Sequence, residues 1–145
     1  MDISLVATEH QKRIDRRKEK MEAQEQHNNS RVVKIDSVES WDTYFNQATN
    51  QGCPIVVHFM ASWCIPSVAM NPFFEELALT FKDVLFLSVD VDDVKEVATR
   101  MEIKAMPTFL LMKGGSVVDK LVGANPEVIR KRVDGFVQPN GAYVA

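Results

Sequence analysis

Residues 54 to 67 read Pro-Ile-Val-Val-His-Phe-Met-Ala-Ser-Trp-Cys-Ile-Pro-Ser. The first seven form a nearly continuous apolar run, the pattern of a central strand covered on both faces. A helix is expected to begin after Cys64 and run to about Thr80, with Pro66 tolerated in its first turn and Pro72 kinking it part-way along. Val84 to Val91 is a second apolar run, so two strands with a helix between them form the middle of a sheet.

Working outward, Val32-Val33-Lys34-Ile35 reads as a short strand. Ser37 or Ser40 can cap a following helix that carries Trp41, Tyr44, Phe45 and Ala48 on one face. After the second central strand, Asp92 or Asp93 opens a helix through Met101. Pro107 to Met112 returns as a strand, Lys113-Gly114-Gly115 turns it, and Ser116 to Val122 pairs back antiparallel. Asn125-Pro126-Glu127 caps a last helix carrying Val128, Ile129, Val133, Phe136 and Val137 toward the core. The order predicts an α/β domain, a central mixed sheet sandwiched between helices.

The chain has 145 residues, 46% hydrophobic and 26% charged, which suits one globular domain with material left over. We expect a charged, frayed and solvated extension over 1–30, the domain over 31–137 and a loose tail over 138–145. The run Lys12 to Lys20 offers a basic docking or nuclear-import patch as the alternative reading of the extension, though acids interrupt it. A net charge of −3 disfavours sequence-independent nucleic-acid binding. Two cysteines, Cys53 and Cys64, are too few for a secreted disulfide scaffold or a four-ligand zinc site. No stretch has the length of a signal peptide core or a membrane span, and Asp2 argues against myristoylation. The expectation is a cytoplasmic protein with no membrane anchor.

The chemistry centres on Cys64. At a helix N-terminus a cysteine meets unsatisfied backbone N–H groups and the positive end of the helix dipole, both favouring thiolate over thiol. Cys64 is therefore the expected nucleophile, able to form a mixed disulfide with a substrate. A second cysteine three residues further on would resolve that bond at very high effective concentration, but Ser67 stands there, and a serine hydroxyl takes no part in disulfide exchange. Cys53 is no substitute. Seven strand residues span roughly 20 Å at about 3.3 Å each, whereas a disulfide needs Cα atoms within about 7 Å. Cys53 reads as a free structural thiol or a dimer-forming one, in a chain otherwise expected to be monomeric. No metal is expected, because Cys64 alone supplies one clear ligand and His58 should be buried beneath the helix.

Four separated motifs carry a resemblance: Trp63-Cys64-Ile65-Pro66 after a buried strand, Pro72 in the next helix, Ala105-Met106-Pro107-Thr108-Phe109 opening a later strand, and Val122-Gly123-Ala124 before the last helix. Over about residues 31 to 137 the chain resembles thioredoxins, specifically the plant h-type group, and its Cys-Ile-Pro-Ser site resembles the monocysteinic, CXXS-type thioredoxin-like proteins. The resemblance implies the thioredoxin fold and a cis Met106–Pro107 bond set against Cys64. It also implies a substrate surface of Trp63, Ile65, Pro66, Met106, Pro107, Gly123 and Ala124, with the Met106 backbone offering strand-like hydrogen bonds to an extended protein substrate. In thioredoxins a buried Asp and a Lys on the neighbouring strand manage the proton of the second cysteine. Here those positions are His58 and Ser88, and Val68 stands where Lys or Arg is usual. His58 reads either as a buried, hydrogen-bonded core histidine or as a base near Ser67.

One attacking thiol suffices for disulfide isomerisation, which has no net electron demand: the substrate's own freed thiol resolves the mixed disulfide. This is also the activity the monocysteinic resemblance implies, with weak dithiol-type reduction. Two other readings remain: a monothiol reductase in which glutathione acts as co-substrate, and a non-enzymatic binding or holdase module. No cofactor is expected, and the expected partners are proteins bearing disulfides or thiols.

Overall fold

The computed structural model describes residues 30–138. The expected extension over 1–30, with its basic run, and the expected tail over 138–145 lie outside the described residues save for Ser30 and Gln138. Strand β1 (Val32–Ile35) leads into helix α1 (Val38–Gln51). Ser37 and Ser40 share the capping role: the Ser37 side chain accepts from the Ser40 N–H, and the Ser40 hydroxyl accepts from the Ser37 N–H. Trp41 and Ala48 are buried, while Tyr44 and Phe45 pack partly covered against the same core. Gly52 ends the helix at φ 70°, a left-handed conformation that glycine adopts without a Cβ penalty.

Strand β2 (Ile55–Met60) is buried along five of its six residues. The single kinked helix expected after it is instead two, α2 (Ile65–Ala69) and α3 (Asn71–Thr80), meeting at Met70. Pro72 has no N–H to give the Val68 carbonyl and its ring crowds that oxygen, so the α-helical ladder cannot continue. The Met70 N–H bonds instead to Ser67 O at 3.1 Å, one residue short of an α-helical bond, and the ladder resumes with Phe74 N to Met70 O.

Strand β3 (Leu85–Asp90) is followed by α4 (Lys95–Arg100), which is shorter than expected and is opened by neither Asp92 nor Asp93. Its N-cap is Val94, with no side-chain hydrogen bond. The Asp90 carboxylate takes the Asp92 N–H at 2.9 Å, tightening a turn, and the Asp92 carboxylate is engaged elsewhere. Strands β4 (Thr108–Lys113) and β5 (Ser116–Val122) form a hairpin across Gly114-Gly115, whose φ values of 61° and 82° explain the glycine pair. Helix α5 (Pro126–Phe136) is capped by the Asn125 side chain, with Pro126 in its first turn. It buries Ile129, Val133 and Phe136, but Val128 is left 43% exposed, because the helix turns only one stripe to the sheet.

The sheet order is β1-β3-β2-β4-β5, with β1, β3 and β2 parallel and β4 and β5 antiparallel. Each face supports its own core. Trp41 and Ala48 of α1 and Val97 of α4 pack with Val57, Phe59 and Leu87 on one face. Phe74 and Leu77 of α3 and Ile129 and Val133 of α5 pack with Val56, Phe86 and Phe109 on the other. This is the thioredoxin fold, a mixed sheet between helix layers. Among the described residues no helix is long and apolar enough to cross a membrane.

Candidate active site

The carboxyl end of β2 delivers the site. Ala61 is buried, and its carbonyl accepts the Cys64 N–H at 3.0 Å, closing a turn that sets Cys64 at the N-cap of α2. The thiol is half-buried and lies 3.6 Å from the Met106 carbonyl, toward which it donates. The Met106–Pro107 bond is cis, Pro107 is buried, and the Pro107 carbonyl accepts the Gly123 N–H at 2.9 Å. Gly123 holds φ 110°, a conformation that side-chain-bearing residues rarely adopt. A chain of short contacts therefore runs from Cys64 through Met106 and Pro107 to Gly123, joining α2, the loop before β4 and the end of β5. The Thr108 hydroxyl braces that loop by donating to Ala105 O at 2.6 Å.

Around the thiol the surface is apolar and open. Trp63 is 66% exposed and Ile65 82% exposed, with Pro66 and Ala124 also at the surface. Trp63 therefore takes no part in the core. Its indole N–H donates to Asp92 at 2.7 Å, which fixes the ring on the surface. Sequence reasoning missed two members of this surface. Val122 is 63% exposed just before Gly123, a position that an alternating strand pattern assigns to neither face with certainty. Asp92, expected along with Asp93 as a candidate to open a helix, has its carboxylate on Trp63 instead.

Beneath the surface two polar side chains are fully buried. Ser67 is 0% exposed, and its hydroxyl has no hydrogen-bond partner among the described residues. His58 is also 0% exposed as expected of a core histidine, but neither ring nitrogen has a hydrogen-bond partner among the described residues, which corrects the expectation of a hydrogen-bonded one. Stacking holds the ring instead: Phe109 lies parallel at 4.6 Å and Phe74 tilted at 5.2 Å. Burial pushes the imidazole down to about 4, so the ring is neutral at physiological pH. Register places His58 opposite Ser88 and Ser88 opposite Lys34, a row running across three parallel strands. Lys34, Ser88, Met60, Phe74 and Asp90 are among the residues lining a cavity of about 320 Å³ at the β1 edge.

Cys53 precedes β2 at its other end, half-buried, with its thiol 3.4 Å from Asp83 O and 3.5 Å from Pro54 O. Both cysteines are free. Among the described residues no group of His, Cys, Asp and Glu is placed to hold a metal ion.

A fold with a cysteine at a helix N-terminus, faced by a cis-proline loop, is that of a thiol–disulfide oxidoreductase. The chain belongs to the thioredoxin family: residues 32–135 match the family model described as Thioredoxin. It is 71% identical over 109 residues to the thioredoxin-like protein CXXS1 of Arabidopsis thaliana, covering 75% of this chain and 92% of the relative. It is 53% identical over 123 residues to the thioredoxin-like protein CXXS1 of Oryza sativa subsp. japonica, covering 83% and 92%. Among solved structures, thioredoxin NaTrxh from Nicotiana alata superposes with a TM-score of 0.73 at 36% identity, over 75% of this chain and 95% of that one. As a member of this family the protein acts on protein thiols or disulfides.

Proposed function

We propose that the protein is a disulfide isomerase working through a single cysteine. Cys64 attacks a wrong disulfide in a protein substrate and forms a mixed disulfide; a thiolate of the substrate then attacks the substrate-side sulfur, re-forms a different disulfide and frees Cys64. Electrons balance within the substrate, so no reductant is consumed. The observation that carries the reading is the placement of the sulfurs. Ser67 fills the buried position three residues after Cys64, and the other thiol, Cys53, lies beyond the opposite end of β2. The open apolar surface around Cys64 suits an extended protein chain, and the Met106 backbone offers it strand-like hydrogen bonds. The proposed compartment is the cytoplasm, on the ground that a chain with two cysteines and no disulfide scaffold suits surroundings that keep thiols reduced.

Reactivation of scrambled ribonuclease tests this, with the wild type expected to restore activity and Cys64→Ser expected to fail. Equal reactivation by the two proteins rejects the proposal. A parallel glutathione-coupled assay on a mixed-disulfide substrate measures whether glutathione also serves as resolving co-substrate.

A further inference from the structure

We propose that Lys120 is a positioning residue for substrate capture: its ammonium group pins the loop that presents the Met106 backbone beside Cys64. This rests on the strand-like docking at Met106 proposed above and names the residue that holds that docking edge in place.

The loop begins under strain. Helix α4 ends in a Schellman turn, with the Ile103 N–H bonded to Ala98 O at 2.9 Å and the Glu102 N–H to Thr99 O at 3.1 Å. Such a turn needs a left-handed residue just past the C-cap, which glycine supplies freely. Here that residue is Glu102, at φ 57°, following the C-cap Met101. Among the described residues it is the only non-glycine with a positive φ. A backbone conformation of this kind persists only where its surroundings over-determine it, and such positions gather at ligand clamps.

Lys120 supplies the missing constraint. Its Nζ donates to the Glu102 carbonyl at 3.0 Å. Lys120 lies in β5 directly opposite Leu110, which packs in the core that α4 covers, so the lysine leaves the sheet on the face where α4 ends. None of the ion pairs among the described residues involves it. Fixing a lysine side chain costs rotamer freedom, and here that freedom is given up to hold a backbone carbonyl 18 positions away.

The pinned turn is the near end of a short span that carries the docking edge. Ile103, Lys104 and Ala105 lead from Glu102 to Met106, whose carbonyl lies 3.6 Å from the Cys64 sulfur. The far end is fastened twice, by the Thr108 hydroxyl on Ala105 O at 2.6 Å and by the Gly123 N–H on Pro107 O at 2.9 Å. Lys104 and Ala105 are exposed, so core packing does not fix the middle. Lys120 therefore completes the fastening, and the last turn of chain in β5 holds both ends of the loop. A substrate strand pairing with an edge already held in place loses less on binding than one that must order the edge as it docks.

The test uses the full chain in a Cys53→Ser background, so that only Cys64 reacts. Lys120→Met keeps an unbranched stem and loses the donor; Lys120→Arg keeps a charged donor. The reduced proteins attack a cysteine peptide carrying a thionitrobenzoate mixed disulfide. The Cys64 sulfur bonds to the peptide sulfur, the disulfide of the reagent breaks, and thionitrobenzoate leaves with the electron pair as a coloured thiolate. Lys120→Met is expected to raise the half-saturating peptide concentration about fivefold, the contribution of one ordinary hydrogen bond. Its limiting rate and the iodoacetamide alkylation of Cys64 should stay unchanged, and Lys120→Arg should restore the half-saturation. An unchanged half-saturation in Lys120→Met overturns the proposal. So does an arginine variant as impaired as the methionine one, and so does a fall in limiting rate alone. Should Lys120→Met melt lower, Lys120→Gln is held to the same outcomes. The same peptide N-methylated on the residues flanking its cysteine tests the docking itself. Equal half-saturation for both peptides in the parent protein rejects strand-like docking and the proposal with it, whereas a preference for the unmethylated peptide beside an unaffected Lys120→Met rejects the role of Lys120 alone. No step needs isomerase activity, so a failed ribonuclease assay is separately visible.

Discussion

His58 lies directly opposite Ser88 across the parallel β2–β3 pair, an uncharged ring facing a short hydroxyl at the two positions where thioredoxins carry an acid and a lysine. Burial makes the ring resist protonation, which lowers its value from 6.5 to about 4, and neither nitrogen has a partner among the described residues. At pH above 6.5 the ring is neutral in both folded and unfolded chains. As pH falls from 6.5 through about 4, the unfolded chain gains a proton that the fold refuses, and stability is lost. At about 1.4 kcal/mol per pH unit the full loss is about 3 kcal/mol. Chemical denaturation between pH 7 and 4 is expected to show this slope, and His58→Leu should flatten it while leaving stability at pH 7 unchanged or raised. An equally steep slope in the variant would assign the acid sensitivity to carboxylates alone.

Ser67→Cys should return the missing sulfur to a site with the geometry to use it. A tethered thiol acts at an effective concentration far above that of any thiol in solution. The mixed disulfide of this variant with a protein substrate is expected to decay at least about 100-fold faster, with a matching rise in dithiothreitol-driven insulin reduction. Persistence of the mixed disulfide would mean that the side chain at position 67 cannot reach the Cys64 sulfur.

Ile65, 82% exposed beside the thiol, has no packing role to lose. Covering such a side chain on binding contributes about 1.5–2 kcal/mol, so Ile65→Ser should raise KM for unfolded protein substrates about tenfold. Alkylation of Cys64 by iodoacetamide should keep its wild-type rate. An unchanged KM would remove Ile65 from the docking surface.

Gly114 holds φ 61° with open space where a Cβ would stand. Gly114→Ala should therefore destabilise through backbone conformation alone, by about 1 kcal/mol, seen as a lower melting temperature at unchanged exchange activity. Loss of activity at full stability would show that the hairpin reports to the site by another route.

Much of this architecture was legible because local signals agreed with tertiary demands. The apolar run before Cys64 could only be a doubly covered strand, and Asn125-Pro126 is an unambiguous helix start. Gly114-Gly115 marks a tight hairpin for the same reason: its conformations exclude most other residues. The misreadings fall where a side chain has two uses. Asp92 looks like a cap until Trp63 is folded against it, and Pro72 looks like a kink until the carbonyl of Val68 is placed beneath it. Cys64 was legible from its place after a buried strand and before a helix, whereas the cis-proline loop set against it was implied by the resemblance to thioredoxins. That the His58 nitrogens and the Ser67 hydroxyl lack partners among the described residues was not legible, because it depends on which side chains the packed elements bring near.

The two sulfurs at opposite ends of β2 have a consequence for which clients the protein can serve. In the exchange proposed above, a substrate with a second cysteine within reach of the captured one would leave unaided, whereas a substrate with a single cysteine would keep the protein occupied until a solution thiol intervened. The proposed mechanism would thus write the residence time of each complex in the cysteine spacing of the client.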